Sequence, residues 1–301
     1  MFAAAGCATV LIGCGHGSRA ESVVNSKKDT IAFRIPDIPN DLHTPSERIV
    51  YLSEHYWDCF GFQDTLLVHQ SVLEQAFVDY LVILNSIPVE TAKESIKILI
   101  ARASQNWDMQ NFIIDLFGKY LYEPNSPFRN EDLYIPFLEI LTQLPTAKTE
   151  DILTGQYRLK IALKNRPGTR ATDFAYKDRS GQLQKMSGIR SEYTLVVFYD
   201  PDCENCHKAI RLLASLAVSH CSRLKIFAIY PDEEEDKWKE KMGEIPDAWI
   251  NGYSPDGEVA KKELYDVRAL PAFYLLDASK KVVFKDAPLD SILEYINQNL
   301  Y

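Results

Sequence analysis

At Pro167-Gly168 the pattern of this 301-residue chain changes, and that change limits the folds open to it. Ahead of it, apolar residues recur at helical spacing. "SVLEQAFVDYLVIL" lines up Val72, Leu73, Ala76, Phe77, Tyr80, Leu81 and Leu84 on one stripe. "TAKESIKILIARAS", "NFIIDLFGKYL" and "DILTGQYRLKIALKNR" repeat the habit, with turn residues between them at Ile87-Pro88, Glu123 to Pro127 and Leu144-Pro145. Beyond Gly168, "TDFAYKDRSGQLQKMSGI" reads as two strands around a Ser180-Gly181 turn. The strand "TLVVFYD", a helix from about Glu204 to His220 and the strand "RLKIFAIY" follow. Next come an acidic helix past Pro231, with Asp232 as its expected N-cap, and a loop-rich connection, "IPDAWINGYSPDGE". The strands "AFYLLD" and "KVVFK" and the helix "PLDSILEYINQNL" finish the chain. The expected architecture is α/β, a mixed sheet with flanking helices and a helical insert, preceded by an all-α domain. Because the strand set is complete from about Arg166, the two halves are expected to fold separately.

The length suits two ordinary domains, and 46% hydrophobic with 25% charged residues is a globular composition. A net charge of −9 argues against a nucleic-acid surface, which needs clustered Lys and Arg. The acidic run from Asp232, "DEEEDKWKEK", reads as a solvated helix face. No apolar run approaches the ~20 residues of a membrane-spanning helix.

Chemistry concentrates at Asp200-Pro201-Asp202-Cys203-Glu204-Asn205-Cys206, where a strand hands over to a helix. A tetrathiolate zinc site needs further ligands, and His220 and Cys221, adjacent in sequence, are poorly spaced to supply them. A purely structural disulfide gains little from a loop enclosing two residues. A redox couple explains the spacing better: unpaired N–H groups at a helix start favour a thiolate, and a thiol three residues on can attack a mixed disulfide. The helical half offers no comparable spacing; His55, Asp58 and Cys59 in "HYWDCF" read as a satisfied structural cluster.

The strand "TLVVFYDPDC", the Cys203–Cys206 motif and "YDVRALPAFYLLD" resemble the thioredoxin fold. With "PGTRATDFAYKDRSGQ" and the insert ahead of Leu270-Pro271, they resemble the membrane-tethered thiol–disulfide oxidoreductases of the TlpA/ResA type over residues 166–301. Residues 31–165 resemble a helical domain of unknown function found ahead of thioredoxin-like domains in bacterial lipoproteins. The resemblance implies an exposed attacking Cys203 and a buried resolving Cys206. It also implies a cis-proline at Pro271 that leaves the Leu270 backbone free to pair with a client chain. Three positions depart from familiar patterns: Asp202 stands where many relatives carry Trp, and Val197 where cytoplasmic thioredoxins bury an Asp. Asp200 stands where a peroxiredoxin needs Thr. The proton acceptor for Cys206 is then water or an acid of the insert such as Asp232. Asp200, Asp202 and Glu204 crowd Cys203 and are expected to disfavour its thiolate, which favours a reductant with a potential nearer about −270 mV than about −120 mV.

Residues 1–14 form a small apolar run whose end, Leu11-Ile12-Gly13-Cys14, resembles the bacterial lipobox, although no Lys or Arg precedes it. The likeness implies lipidation of Cys14, a tether over 15–30 and a periplasmic protein anchored to a membrane, outer or inner. The implied partners are disulfide-containing client proteins, a membrane thiol-reductant donor and the lipid anchor, with no nucleic acid, cofactor or metal. A binding or scaffold lipoprotein, and a disulfide isomerase or oxidase, are the alternatives.

Overall fold

The computed structural model describes residues 33–63, 71–216 and 222–300; Cys14, the 1–14 signal, the 15–30 tether, His220 and Cys221 lie outside them.

Among the described residues the first half contains six α-helices: α1 (Pro45–His55), α2 (Ser71–Leu84), α3 (Val89–Ala103), α4 (Trp107–Phe117), α5 (Glu131–Leu141) and α6 (Thr149–Ala162). The stripe read on α2 is buried except at Val72, which is half-buried. It packs with Tyr56, Trp57, Leu99, Ile113, Phe117 and Phe137 in one core, where the Phe117 and Phe137 rings stack at 4.2 Å. Two of these helices, α1 and α5, are not among the runs read from the sequence. α1 is set by its cap: Glu47 N donates to Thr44 Oγ1 at 3.2 Å while Thr44 N donates to Glu47 Oε2 at 3.0 Å. α5 carries Pro136 inside it, a residue that reads as a stop, yet Asn130 starts the helix by accepting from Asp132 N at 2.8 Å.

The second half is a seven-stranded mixed sheet in the order β2-β1-β5-β4-β3-β6-β7. Its strands are β1 (Ala175–Asp178), β2 (Leu183–Lys185), β3 (Tyr193–Phe198), β4 (Leu224–Tyr230), β5 (Ile250–Tyr253), β6 (Ala272–Asp277) and β7 (Val282–Lys285). β3, β4 and β5 run parallel, and the remaining pairs are antiparallel. Alternation along the central strands builds two cores. Leu195, Val197, Ile226 and Ala228 face α7 (Glu204–Ser215), α8 (Glu235–Lys241) and α10 (Leu289–Leu300). Val196, Phe198, Phe227 and Ile229 face Phe174, Tyr265 and Val259 of α9 (Glu258–Lys261).

Three sequence expectations are corrected. The segment "IPDAWINGYSPDGE" is not only a connection, because Ile250–Tyr253 forms β5 between β4 and β1. Its polar Asn251 and its Gly252 hide the strand signal, and Gly252 is required there: a Cβ would meet Lys177 O at 2.6 Å and Tyr176 Cδ2 at 2.5 Å. Asp232 does not cap α8, whose N-cap is Glu234; its Oδ1 accepts from the Glu233 amide at 2.8 Å instead. α7 ends at Ser215, five residues before the expected end, as Leu216 turns to extended backbone. Ion pairs join the two halves. Arg166 ion-pairs with Glu131 at 2.8 Å and with Asp132, Lys285 with Glu131 at 2.8 Å, and Arg129 with Asp286.

Candidate active site

β3 ends at Phe198, and the chain loops through Tyr199–Asp202 before α7 begins at Glu204. Cys203 is the N-cap of α7, in extended backbone, and its Sγ accepts from the Cys206 amide at 3.2 Å. A sulfur at this place receives one of the amides that a helix start leaves unpaired. Cys203 and Cys206 form a disulfide with their Cα atoms 5.2 Å apart. Cys203 is half-buried, whereas Cys206 is fully buried in the core that holds Val197, Tyr199 and Ile210.

The antiparallel pairing of β3 with β6 sets Phe198 opposite Ala272, which brings the residues just before Ala272 beside the cysteine loop. There Leu270-Pro271 is a cis peptide bond, and the Leu270 carbonyl oxygen lies 3.7 Å from Cys203 Sγ. Cys203, Cys206, Leu270 and Pro271 are thus brought together at one end of the sheet. Cys59 is a separate exposed thiol of the helical half, next to an Asp58 that bonds His55 at 2.7 Å and pairs with Arg102.

The carboxylates around Cys203 are each paired with a cation. Lys237 of α8 reaches back to Asp200 at 2.9 Å and Asp202 at 3.2 Å. Partial burial works against its charge, but the two carboxylates outweigh this and raise the Lys237 ammonium above its ordinary value. Glu204 pairs with Arg211 at 3.4 Å and Lys208 at 3.9 Å. Three negative charges therefore stand near Cys203 with three cations on them. Sequence spacing pointed to the carboxylates and missed Lys237, which is 37 residues from Asp200. His207 was missed too: its Nε2 meets the Pro201 carbonyl at 2.7 Å and its Nδ1 the Glu244 carboxylate at 2.9 Å, pinning the loop to α7. Among the described residues no cluster of His, Cys, Asp and Glu is arranged to hold a metal ion.

The family described as a domain of unknown function (DUF5106) matches residues 14–165, and the AhpC/TSA family matches residues 167–285. The chain is similar to a thioredoxin-like protein of known structure from Bacteroides caccae, with 38% sequence identity and a TM-score of 0.83 over 89% of this chain and 98% of that one. It is also similar to the C-terminal domain of an uncharacterized Bacteroides fragilis protein, at 38% identity and TM-score 0.43 over 44% of this chain and 98% of that one. The thioredoxin domain of a Bacteroides vulgatus thiol-disulfide oxidoreductase shows 22% identity and TM-score 0.40 over 45% and 99%. No curated protein matches. Matched along both halves and at nearly full length, the chain belongs to the thioredoxin-like proteins, with a DUF5106 domain ahead of an AhpC/TSA-family domain.

Proposed function

We propose that this protein is an extracytoplasmic thiol–disulfide oxidoreductase that reduces disulfides in client proteins through Cys203 and Cys206. The observation that carries the reading is the asymmetry of the pair. Cys203 sits at a helix start beside Leu270-Pro271, while Cys206 is closed off behind it. In the reduced protein the Cys203 thiolate, held by the helix-start amides, attacks one client sulfur. A Cys203–client bond forms, the client disulfide breaks, and the second client sulfur leaves as a thiolate that takes a proton from water. Cys206 then loses its proton and attacks Cys203 Sγ. The intramolecular disulfide forms, and the first client sulfur departs as a thiolate that takes up the proton released by Cys206. The client gains two electrons and the protein loses them, so a dithiol donor must restore Cys203 and Cys206. In this reading the donor is a membrane thiol reductant, and a lipid on Cys14 keeps the protein beside it.

The test is a client trap. Cys206→Ser should carry covalent partners that dithiothreitol releases, because attack by Cys203 proceeds without resolution. The same adducts on Cys203→Ser, with none on Cys206→Ser, reverse the two roles. A wild-type potential above about −180 mV favours an isomerase or oxidase instead. Cys14→Ser should abolish labelling by a fatty acid; wild-type protein that takes up none loses the anchor.

The AhpC/TSA match favours one further reading, a peroxidase. Asp200 weighs against it, since a carboxylate engaged with Lys237 stands where a hydroxyl would position the peroxide. Wild type should consume hydrogen peroxide no faster than the Cys203→Ser variant.

A further inference from the structure

His207 follows Cys206 directly, and both nitrogens of its ring are engaged at short distance. Nε2 lies 2.7 Å from the Pro201 carbonyl oxygen, and Nδ1 lies 2.9 Å from Glu244 Oε2. A carbonyl and a carboxylate only accept, whereas a neutral imidazole carries one N–H and one bare nitrogen. Both bonds therefore exist together only when both nitrogens carry a proton. The His207 side chain is 14% exposed, so little water competes for either bond. Nearby charges are already placed: Lys237 takes Asp200 and Asp202, Lys208 and Arg211 take Glu204, and Arg179 takes Asp247. The carboxylate that meets the ring is that of Glu244, whose other oxygen is 3.8 Å from Lys241.

The two elements joined by the ring bear on the sulfurs. Pro201 lies in the loop between β3 and α7, two residues before Cys203, and Glu244 ends the short 3-10 turn Met242–Glu244 after α8. The loop is folded on itself: Asp202 N donates to Asp200 Oδ1 at 2.7 Å, and Cys203 N to the Asp200 carbonyl at 3.0 Å. Those bonds set its shape. Its attachment to the insert comes from Lys237 on two carboxylates and from Glu244, through His207, on the Pro201 carbonyl. Resting on the exchange reading above, we propose that His207 is a positioning residue for Cys203, an imidazolium strap between the cysteine loop and the turn after α8. The same proton sets a positive charge one residue past Cys206, where it favours thiolate over thiol.

The test uses the reduced full chain and two variants. His207→Gln keeps an amide that donates to a carbonyl but carries no charge; Glu244→Gln removes the carboxylate and leaves the ring. The chain has six histidines, and the nitrogen-15 NMR signals lost in His207→Gln identify its ring. Near pH 7 both ring nitrogens of wild type should show the protonated shift, and in Glu244→Gln one should move toward the bare-nitrogen value. Alkylation of Cys203 by iodoacetamide, followed on its own peptide by mass spectrometry, should be about fivefold slower in His207→Gln at pH 6. Glu244→Gln should change it in the same direction by less. The gap should close toward pH 9, where the wild-type ring has given up its proton. A bare ring nitrogen in wild type, or a gap of the same size at pH 6 and pH 9, overturns the proposal. Wild type that reduces no glutathione disulfide removes the exchange reading and with it the role at Cys203, even if the ring spectrum is as expected.

Discussion

In the helical half, Tyr56, Trp57, Phe77, Phe117 and Phe137 join one core, whereas the sheet of the other half divides its apolar residues between two faces. A single enclosed core leaves polar groups scattered over its outside, as with His55, Asp58 and Arg102. A sheet with two covered faces has ends, and at one end the close of β3, the start of α7 and the approach to β6 converge. The sulfurs sit there because unpaired backbone groups and exposed loop are available only where elements stop. The helical half meets the approach to β6 at Tyr122, whose carbonyl accepts from Arg268 at 3.0 Å.

The comparison breaks first at the cysteines. Cys203→Ser should take disulfide reduction down to the rate without protein, read in an insulin-precipitation assay. Cys59→Ser, in the helical half, should leave it unchanged. Equal losses would place reactive chemistry in both halves.

Next in size is the junction. The Lys285 side chain is 5% exposed; burial lowers its ammonium below the ordinary value, with Glu131 opposing this. It also donates to the Ala162 carbonyl at 2.7 Å, at the end of α6. Lys285→Ala takes the buried donor from the Ala162 carbonyl and leaves Glu131 with Arg166 as partner, and should cost about 2 kcal/mol in urea unfolding. Lys93→Ala removes a pair to Glu139 with both side chains 37% exposed, and should cost no more than about 1 kcal/mol. Similar costs would mean that the junction is no more than a surface contact.

A smaller effect separates charge from sulfur. Lys237→Met leaves Asp200 and Asp202 unopposed near Cys203, disfavouring the thiolate and therefore the reduced form. The potential should become more negative by on the order of 10–30 mV, measured against glutathione buffers. A shift to less negative values would show that Lys237 does not shield the sulfur.

The smallest lies in the β1–β2 turn, where Asp178 Oδ1 accepts from Ser180 N at 2.8 Å, Ser180 Oγ at 2.6 Å and Gln182 N at 3.0 Å. The Ser180 hydroxyl bond leads in lowering this carboxyl below its ordinary 3.8, and the Gln182 and Ser180 amides add to it. A folded value below the unfolded one stabilises above pH 3.8, and that part is lost as pH falls through the folded value. Asp178→Ala should therefore cost roughly 0.5–1 kcal/mol near neutrality and less in acid. A gap that widens on acidification would contradict the assignment.

The sequence alone determined the features whose cause is local. The apolar runs at Leu195–Phe198 and Leu224–Tyr230, the stripe on α2, the Ser180-Gly181 turn with Gly181 at φ 78°, and two cysteines at a helix start are each written in neighbouring residues. α1 and α5 were less legible: α1 rests on its capping box, and in α5 the internal Pro136 interrupts the helical spacing of Leu133, Phe137 and Leu141. β5 became a strand only through its neighbours: four residues with Asn251 and Gly252 in the middle pair because β4 and β1 flank them. Tertiary structure alone placed Lys237 on Asp200 across 37 residues and Arg129 on Asp286 across 157. Such pairings carry no local periodicity or fixed spacing, since distant segments meet only after the strands and helices between them have packed.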